Sequence, residues 1–314
     1  MTASDPGRPF GRLLTAMVTP FRPDGALDPD GAARLAAHLV DAHGNDGLVV
    51  SGTTGEAPTT TDAEKDTLLR AVVEAVGDRA HVLAGVGTND THHTVELARA
   101  AEKAGASGVL VVTPYYNKPP QAGLLHHFRT VADASGLPMM VYDIPGRTGT
   151  AIETDTMVRL AEHERIVAVK DAKGDFTESS RVTARTDLAY YSGDDKNTLP
   201  LLAVGAVGVV GVPTHLFSRQ TKAMIEAFES GNHAEALRLH HALLPVFTGF
   251  FRTQAVILTK AALALEGLPA GPVRPPLVDA TTAEIARLRE DCFAAGLTLG
   301  SGDQVAATHH WTEP

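Results

Sequence analysis

The sequence of 314 residues has no apolar run approaching the roughly 20 residues that a membrane-spanning helix needs. Its N-terminal stretch also lacks the basic region followed by an apolar region that marks a secretory signal. The single cysteine, Cys292, can form no disulfide within the chain, which suits a reducing compartment. A cytoplasmic protein is therefore expected, with Cys292 as an inert thiol.

An excess of positive charge is absent as well. The formal net charge is -10, whereas nucleic acids and anionic membranes favour a basic protein surface. The fractions of hydrophobic residues, 44%, and of charged residues, 20%, are those of a folded globular protein rather than a disordered chain. Small molecules are the expected partners, and neither nucleic acid nor a membrane is predicted to be one.

Eight short apolar runs recur along the chain, and helical segments with apolar residues three or four positions apart lie between them. The runs lack strict alternation, which is typical of strands covered on both faces. Strand and helix repeated eight times predict a (β/α)8 barrel, and the count favours it over a doubly wound open sheet. The runs are LLTAMV, DGLVVS, HVLAGV, GVLVVT, PMMVYD, IVAVKD, LAYYSG and VGVVGV.

The chain changes character after about residue 233, where three helical segments follow one another with no strand between them. They are HAEALRLHHALLPVFTGFF, TQAVILTKAALALEGL and TAEIARLREDCFAAG. We expect a barrel domain over residues 1–232, a helical domain over residues 233–298 and a poorly ordered polar tail over residues 299–314.

Four pairs of adjacent histidines raise the possibility of a metal site. Adjacent residues on a helix point about 100° apart and do not form two ligands on one face, and no carboxylate stands at a zinc-like spacing beside them. Surface or core histidines are therefore expected, and no metal is predicted. The pairs are His92 and His93, His126 and His127, His240 and His241, and His309 and His310.

The residues that follow the strands are the informative ones, because barrel enzymes carry their catalytic groups there. Five runs are followed by the segments SGTTGE, TPYYNKPP, YDIPGRTG, KDAKGD and SGDD. Lys170 lies near the end of the run IVAVKD, where partial burial would lower the pKa of its amine and favour the neutral form. A neutral amine can attack a ketone and form an imine. Lys170 is thus predicted to form a Schiff base, the alternative being a lysine that reaches out to solvent.

Further polar groups are predicted to surround this lysine. Tyr142 can relay protons, and the GTTG segment offers backbone N–H groups and two hydroxyls that suit a small carboxylate. The planar guanidinium of Arg147 matches a carboxylate, and Tyr115 and Tyr116 form an aromatic pair in a loop. Each of these features also has a purely structural alternative. Tyr142 would be an ordinary tyrosine at a strand end, GTTG a tight turn, Arg147 part of a surface ion pair, and the two loop tyrosines a packed aromatic pair.

Taken together, GTTGE, TPYYNKP, YDIPGRTG, VKDAKGD and SGDD resemble, in order and spacing, the dihydrodipicolinate synthase family of the pyruvate-dependent class I aldolase superfamily. The resemblance runs from about residue 12 to about residue 295. It implies that pyruvate condenses with aspartate β-semialdehyde, the entry to diaminopimelate and lysine. It also implies that no metal or organic cofactor is required, because the imine itself stabilises the carbanion.

The resemblance assigns the catalytic roles to four side chains. Lys170 forms the imine with pyruvate, and Tyr142 handles the protons beside it. Thr54 and Tyr116 complete a proton relay. In the family this second tyrosine reaches in from the neighbouring subunit, so a tetramer of two tight dimers, or a dimer, is expected.

The resemblance also implies how the substrates are bound. The backbone N–H groups of Thr53 and Thr54 hold the pyruvate carboxylate, Gly193 and Val210 line the pocket through their backbone carbonyls, and Arg147 binds the carboxylate of the semialdehyde. Neuraminate lyases and keto-deoxy-sugar-acid aldolases share the lysine and the tyrosine but typically lack this arginine. They are the alternative enzymes, and a catalytically silent protein that binds a keto acid is a third hypothesis.

One departure from the family concerns regulation by lysine. Lysine-inhibited members carry a serine and two histidines after GTTGE, and a glutamate further along, which help to form the effector pocket. The corresponding positions here hold Ala57, Asp62, Lys65 and His93, whereas Asn89 and Tyr115 match. Because histidine in place of glutamate removes an acceptor for the effector's ammonium group, weak or absent feedback inhibition by lysine is predicted.

Overall fold

The computed structural model describes residues 7–300, and its centre is a closed barrel of eight parallel strands in chain order. The strands are β1 (Leu13–Ala16), β2 (Gly47–Val50), β3 (His81–Gly85), β4 (Gly108–Val112), β5 (Met139–Asp143), β6 (Ile166–Asp171), β7 (Ala189–Ser192) and β8 (Gly208–Gly211). β1 pairs with both β2 and β8, and this closure excludes an open sheet. The predicted (β/α)8 barrel is confirmed, and each strand lies within the apolar run that predicted it.

Helices cover the outside of the barrel. They are α1 (Pro29–Ala37), α2 (Asp62–Val76), α3 (Thr91–Lys103), α4 (Gln121–Ala134), α5 (Pro145–Thr148), α6 (Thr154–Leu160), α7 (Phe176–Thr183), α8 (Thr198–Leu202) and α9 (Thr214–Glu229). A π-helical turn, His38–Ala42, extends α1, and 3₁₀ turns occur at Ala57–Thr59 and Asp195–Asn197. Apolar residues three or four positions apart make one stripe of each long helix pack against the strands.

Polar caps set where the long helices begin. At the start of α2, the hydroxyl of Thr61 accepts from the backbone N–H of Glu64, and the Glu64 carboxylate accepts from the N–H of Thr61. The side chains of Asp28 and Asp90 accept from backbone N–H groups in the first turns of α1 and α3. Each such cap stabilises its helix by about 1 kcal/mol.

The register of the strands brings a lysine and two tyrosines together inside the barrel. Because side chains alternate along a strand, Ala168 and Lys170 of β6 face the interior while Val169 packs against the surrounding helices. Lys170 is paired with Tyr142 of β5 on one side and with Tyr191 of β7 on the other. The lysine thus lies one residue before the end of its strand, at the mouth of the barrel where active sites of this fold lie.

Three further helices follow the barrel: α10 (His233–Gly249), α11 (Ala255–Leu265) and α12 (Thr282–Ala294). α10 packs against α9 and α12, and Ala255 at the start of α11 belongs to the apolar cluster of the barrel interior. The predicted C-terminal helices are therefore present, whereas the division at residue 232 stays a prediction. The predicted tail lies outside the described residues, except for Leu299 and Gly300.

Candidate active site

Lys170 is the most unusual side chain at the mouth of the barrel, because it is buried without an ion-pair partner. Its residue exposure is 5%, and its Nζ lies 4.4 Å from the ring centroid of Tyr142. Within residues 7–300, no carboxylate lies within ion-pair distance of this amine. Burial lowers its pKa to about 8; Asp195 opposes this effect and Arg147 adds to it. Near neutral pH the neutral fraction of this amine is therefore about 300 times that of an ordinary lysine.

Tyr142 is also buried, and its hydroxyl remains protonated. Burial raises the pKa of the phenol to about 12, while the charge of Arg147 and a hydrogen bond from the Thr53 side chain oppose the increase. A neutral phenol can both donate and accept a proton, as a group beside an imine must. The tyrosine therefore has the position and the protonation state of a proton carrier for Lys170.

The loop of residues 51–56 connects β2 to the helical turn before α2 and borders this pair. Its first and last residues, Ser51 and Glu56, have positive φ angles of 54° and 55°. The hydroxyl of Thr19 donates to the carbonyl of Gly55 at 2.7 Å, and this hydrogen bond holds the loop in place. The backbone N–H groups of Thr53 and Thr54 in this loop have no acceptor among the described residues, so they are free to bind an anion.

The two threonines of this loop differ in their relation to the tyrosine. The side chain of Thr53 hydrogen-bonds to Tyr142 and lines the adjoining cavity, whereas the predicted relay role of Thr54 stays a prediction. Thr54 is buried, with an exposure of 8%. Its backbone N–H remains available for the predicted carboxylate site, since no described protein group accepts from it.

Arg147 reaches the same cavity from the short helix α5. The cavity has a volume of about 440 Å³ and is also lined by Thr53, Tyr142 and Ile144. Arg147 Nη1 donates to Oε1 of Gln254 at 2.9 Å, and Gln254 lies at the start of α11. No sequence pattern indicated Gln254, because a contact between residues 107 positions apart leaves no local signal.

Gly193 lies against Lys170, and Val210 belongs to the apolar cluster of the barrel interior. Gly193 follows β7 and packs against the stem of Lys170, so that a Cβ at this position would lie 2.9 Å from the lysine Cγ. Its N–H donates to the carbonyl of Asp171 at 2.7 Å. Val210 of β8 is fully buried in the barrel interior opposite Leu14. Gly193 therefore shapes the space around the lysine, whereas the role of Val210 in lining the pocket stays a prediction.

Tyr116 does not enter the site of its own chain. It is 89% exposed, has a positive φ of 74°, and is not among the residues that line the cavity. Tyr115, its neighbour, lines the cavity and is 37% exposed. An exposed tyrosine held in a rarely populated backbone conformation is the geometry expected of a residue that contacts another molecule.

Asp195 is a group that the sequence analysis missed, although it belongs to the quoted segment SGDD. The residue is fully buried, and its Oδ2 accepts from the backbone N–H of Val212 at 3.2 Å. Oδ1 has no hydrogen-bond partner among the described residues. Burial raises the pKa of this carboxyl to about 7, an effect that the charge of Lys170 partly opposes. The negative charge of Asp195 in turn raises the pKa of Lys170 and so favours its protonated form.

The paired histidines occupy separate environments. His93 Nε2 lies 2.9 Å from a carboxylate oxygen of Asp62, whereas His127 is buried with its Nδ1 2.9 Å from the Thr91 hydroxyl. His309 and His310 lie outside the described residues. Among residues 7–300, no three His, Cys, Asp or Glu side chains are grouped as metal ligands, and no helix there could span a membrane.

Comparison with known proteins places the chain in a family. The profile of the dihydrodipicolinate synthetase family matches residues 9–294. The chain belongs to this family. The match covers nearly the whole sequence and confirms the resemblance drawn from the five segments.

Relatives in the dihydrodipicolinate synthetase family agree with this assignment. The chain is 78% identical to the 4-hydroxy-tetrahydrodipicolinate synthase of Acidothermus cellulolyticus, over 95% of the chain and 96% of that protein. It is 65% identical to 4-hydroxy-tetrahydrodipicolinate synthase 2 of Streptomyces coelicolor, over 94% of the chain and 99% of the relative. A solved structure of the enzyme from Cyanidioschyzon merolae with lysine bound has a TM-score of 0.89 and 45% identity, covering 91% of this chain and 98% of that one.

Proposed function

We propose that this protein is a 4-hydroxy-tetrahydrodipicolinate synthase, which condenses pyruvate with aspartate β-semialdehyde through an imine on Lys170. The observation that carries the proposal is a buried amine without an ion pair, 4.4 Å from the ring of Tyr142. A relative that bears this activity in its name is 78% identical to the chain. The geometry supports the type of reaction, and the relatives support the substrates.

The chemistry follows from the state of the amine. Neutral Lys170 attacks C2 of pyruvate, and the resulting carbinolamine loses water to give an iminium ion. The iminium draws electrons from the methyl carbon, which loses a proton and becomes the nucleophilic end of an enamine. That carbon forms the new bond to the aldehyde carbon of the semialdehyde. Tyr142, neutral and beside the amine, moves the protons that leave and return in these steps.

The relay and the pyruvate site involve the loop of residues 51–56. We assign the relay hydroxyl to Thr53 instead of Thr54, because the side chain of Thr53 bonds to Tyr142. The N–H groups of both threonines bind the pyruvate carboxylate, and the carbonyls of Gly193 and Val210 line the pocket. No metal or organic cofactor has a role in this proposal, since the imine serves as the electron sink.

Arg147 supports the semialdehyde as the second substrate. Its guanidinium lines the cavity and is oriented by Gln254, so that it can form a paired contact with a carboxylate. The alternative enzymes, neuraminate lyases and keto-deoxy-sugar-acid aldolases, bind polyols and have no need of a cation there. A silent keto-acid-binding protein would have no reason to keep the neutral amine, the phenol and the guanidinium together.

The assembly is also part of the proposal. We infer a cytoplasmic homodimer or a tetramer of two tight dimers, in which Tyr116 of one subunit completes the relay in the next. The 89% exposure of this tyrosine supports that arrangement. Three exposed apolar side chains on and after α10, those of Leu237, Leu244 and Phe251, offer a surface for the association of dimers.

Aldehyde specificity tests the proposal. Purified protein with pyruvate is expected to consume aspartate β-semialdehyde and to show no comparable turnover with N-acetylmannosamine or a sugar-derived aldehyde. Replacement of Arg147 by Ala should raise KM for the semialdehyde about 100-fold, because a charged contact to its carboxylate is lost, and should change KM for pyruvate little. Arg70→Ala, an exposed arginine paired with Asp66, is the matched control. Equal effects on both substrates, or turnover with a sugar aldehyde, would contradict the assignment.

A further inference from the structure

A second buried lysine lies behind the active site. Lys260 belongs to α11 of the helical segment and has an exposure of 3%. Unlike Lys170, it has a carboxylate partner: its Nζ lies 2.6 Å from Oε1 of Glu56, whose side chain is 2% exposed. Glu56 is the last residue of the loop of residues 51–56. A buried ion pair therefore connects the C-terminal helices to the carboxylate-binding loop.

Both oxygens of the Glu56 carboxylate are engaged by the C-terminal segment. Oε1 contacts Lys260, and Oε2 accepts from the backbone N–H of Arg274 at 2.8 Å. The ammonium of Lys260 also donates to the carbonyl of Pro272 at 2.8 Å. The position of the carboxylate is thus fixed from two sides by residues more than 200 positions away in the chain.

An aromatic ring and a second ion pair also contribute to the contact between the C-terminal segment and the barrel. The ring of Phe21 contacts both cations, with its centroid 4.2 Å from Lys260 Nζ and 4.1 Å from the Arg274 guanidinium carbon. The guanidinium donates to both carboxylate oxygens of Glu64 and to the carbonyl of Thr59 at 2.7 Å. Glu64 belongs to the capping box of α2, so Arg274 also contacts the start of that helix.

The conformation of Glu56 explains why the loop needs such an anchor. Its φ of 55° is rarely adopted by residues other than glycine, and such a conformation persists only where surrounding contacts determine it. If Glu56 returned to an ordinary conformation, the peptide planes of the loop would rotate. The N–H groups proposed to bind the pyruvate carboxylate are two and three residues before it, so their directions would change.

We propose that Lys260 is a positioning residue, which acts through Glu56 to hold the loop of residues 51–56 in the conformation that binds the pyruvate carboxylate. The inference rests on the proposed function and extends it: the C-terminal helices provide part of the machinery for the first substrate. Lys260 contacts no substrate itself. Its effect is specific to the substrate that the loop binds.

Kinetics with each substrate varied in turn test this role. Lys260→Met is expected to lower kcat/KM for pyruvate by about 10- to 100-fold, the effect of a displacement of about 1 Å in a binding group. KM for the semialdehyde should stay within about twofold, because Arg147 does not belong to this network. Lys260→Arg, which keeps a cation beside Glu56, should recover most of the loss. Equal changes for both substrates would overturn the inference.

A double variant separates positioning from folding, because Lys260→Met leaves the Glu56 charge buried and unpaired. Glu56→Gln combined with Lys260→Met removes both charges and should restore the thermal midpoint while KM for pyruvate stays raised. A folded double variant with the pyruvate KM of the unaltered protein would overturn the inference.

Two controls complete the design. Arg252→Met combined with Asp291→Asn removes another ion pair of the C-terminal helices, with an Nη2–Oδ1 distance of 2.6 Å, and should leave pyruvate kinetics unchanged. Borohydride trapping of pyruvate on the unaltered protein is the second control. No adduct there would overturn the proposed function and this inference with it, whereas an adduct together with unaffected Lys260 variants overturns the inference alone.

Discussion

At the scale of single residues, the protein contains two lysines that are similarly buried but differ in whether a carboxylate lies beside the amine. Lys170 is 5% exposed and has no carboxylate at ion-pair distance, whereas Lys260 is 3% exposed and contacts Glu56 at 2.6 Å. Burial lowers the pKa of both amines, but the carboxylate opposes this effect directly at Lys260. The unpaired amine is available as a nucleophile, while the paired one serves to hold structure.

This difference predicts opposite effects on stability when each lysine is replaced by methionine. The pKa of Lys170 falls from 10.5 to about 8 on folding, so the folded protein binds fewer protons than the unfolded chain between these values, and stability rises with pH there. Below pH 8 the penalty for the buried charge is present in full. Lys170→Met should therefore stabilise the fold at neutral pH by up to about 3 kcal/mol.

Denaturant unfolding of both variants measures the effect. The advantage of Lys170→Met over the unaltered protein should shrink as the pH rises through the interval from 8 to 10.5. Lys260→Met is the matched comparison and should destabilise the protein, since it leaves Glu56 charged and unpaired. If Lys170→Met were destabilising at neutral pH, the amine would have a stabilising partner and the electrostatic account would be wrong.

At the scale of elements, much of the barrel was predictable from the sequence because strands and helices have periodicities of their own. The eight apolar runs located all eight strands, and the end of IVAVKD located Lys170 inside the barrel mouth. The loop after β2 was predictable as a candidate carboxylate-binding segment, but the role of each residue in it was not. Its side chains follow no period, so the sequence could not decide whether Thr53 or Thr54 bonds to Tyr142. That choice depends on the backbone angles of Ser51 and Glu56.

The two threonines of this loop are expected to respond differently to removal of the hydroxyl. Thr53→Val should lower kcat by about 100-fold, because proton transfer by a positioned group contributes at least that much. Thr54→Val makes the same chemical change at the neighbouring position and leaves the backbone N–H of residue 54 in place. The kcat of this variant should therefore fall far less. Steady-state rates of the two purified variants give the comparison. A larger loss for Thr54→Val would return the relay to Thr54.

At the scale of the whole molecule, the site combines the barrel with the helices that follow it. Gln254 orients Arg147, and Lys260 anchors Glu56, across separations of 107 and 204 residues. The sequence indicated a helical C-terminal segment but could not show that it reaches the site, because contacts between distant segments depend on how the finished barrel and helices pack. The same limit applies to Tyr116, whose proposed partner is another subunit.

Regulation by lysine also belongs to this scale. The cavity extends past Asn89 to Lys65 and His93. His93 contacts Asp62 at 2.9 Å, and Lys65 adds a cation to the lining of the cavity, which would repel the ammonium group of a bound lysine. We therefore expect millimolar lysine to inhibit the enzyme weakly or not at all. Dose–response measurements on the unaltered protein and on His93→Glu check this, with greater sensitivity expected in the variant. Strong inhibition of the unaltered protein would refute the prediction.

The central claim is that an uncharged amine inside the barrel forms a covalent bond with a keto acid. Borohydride reduction in the presence of pyruvate, followed by peptide mass analysis, tests it most directly. The account predicts one adduct, on Lys170, with a rate that rises with pH and levels off near pH 8, and no adduct in Lys170→Arg. No adduct, an adduct on another lysine, or a rate that keeps rising toward the pKa of an ordinary lysine would contradict it.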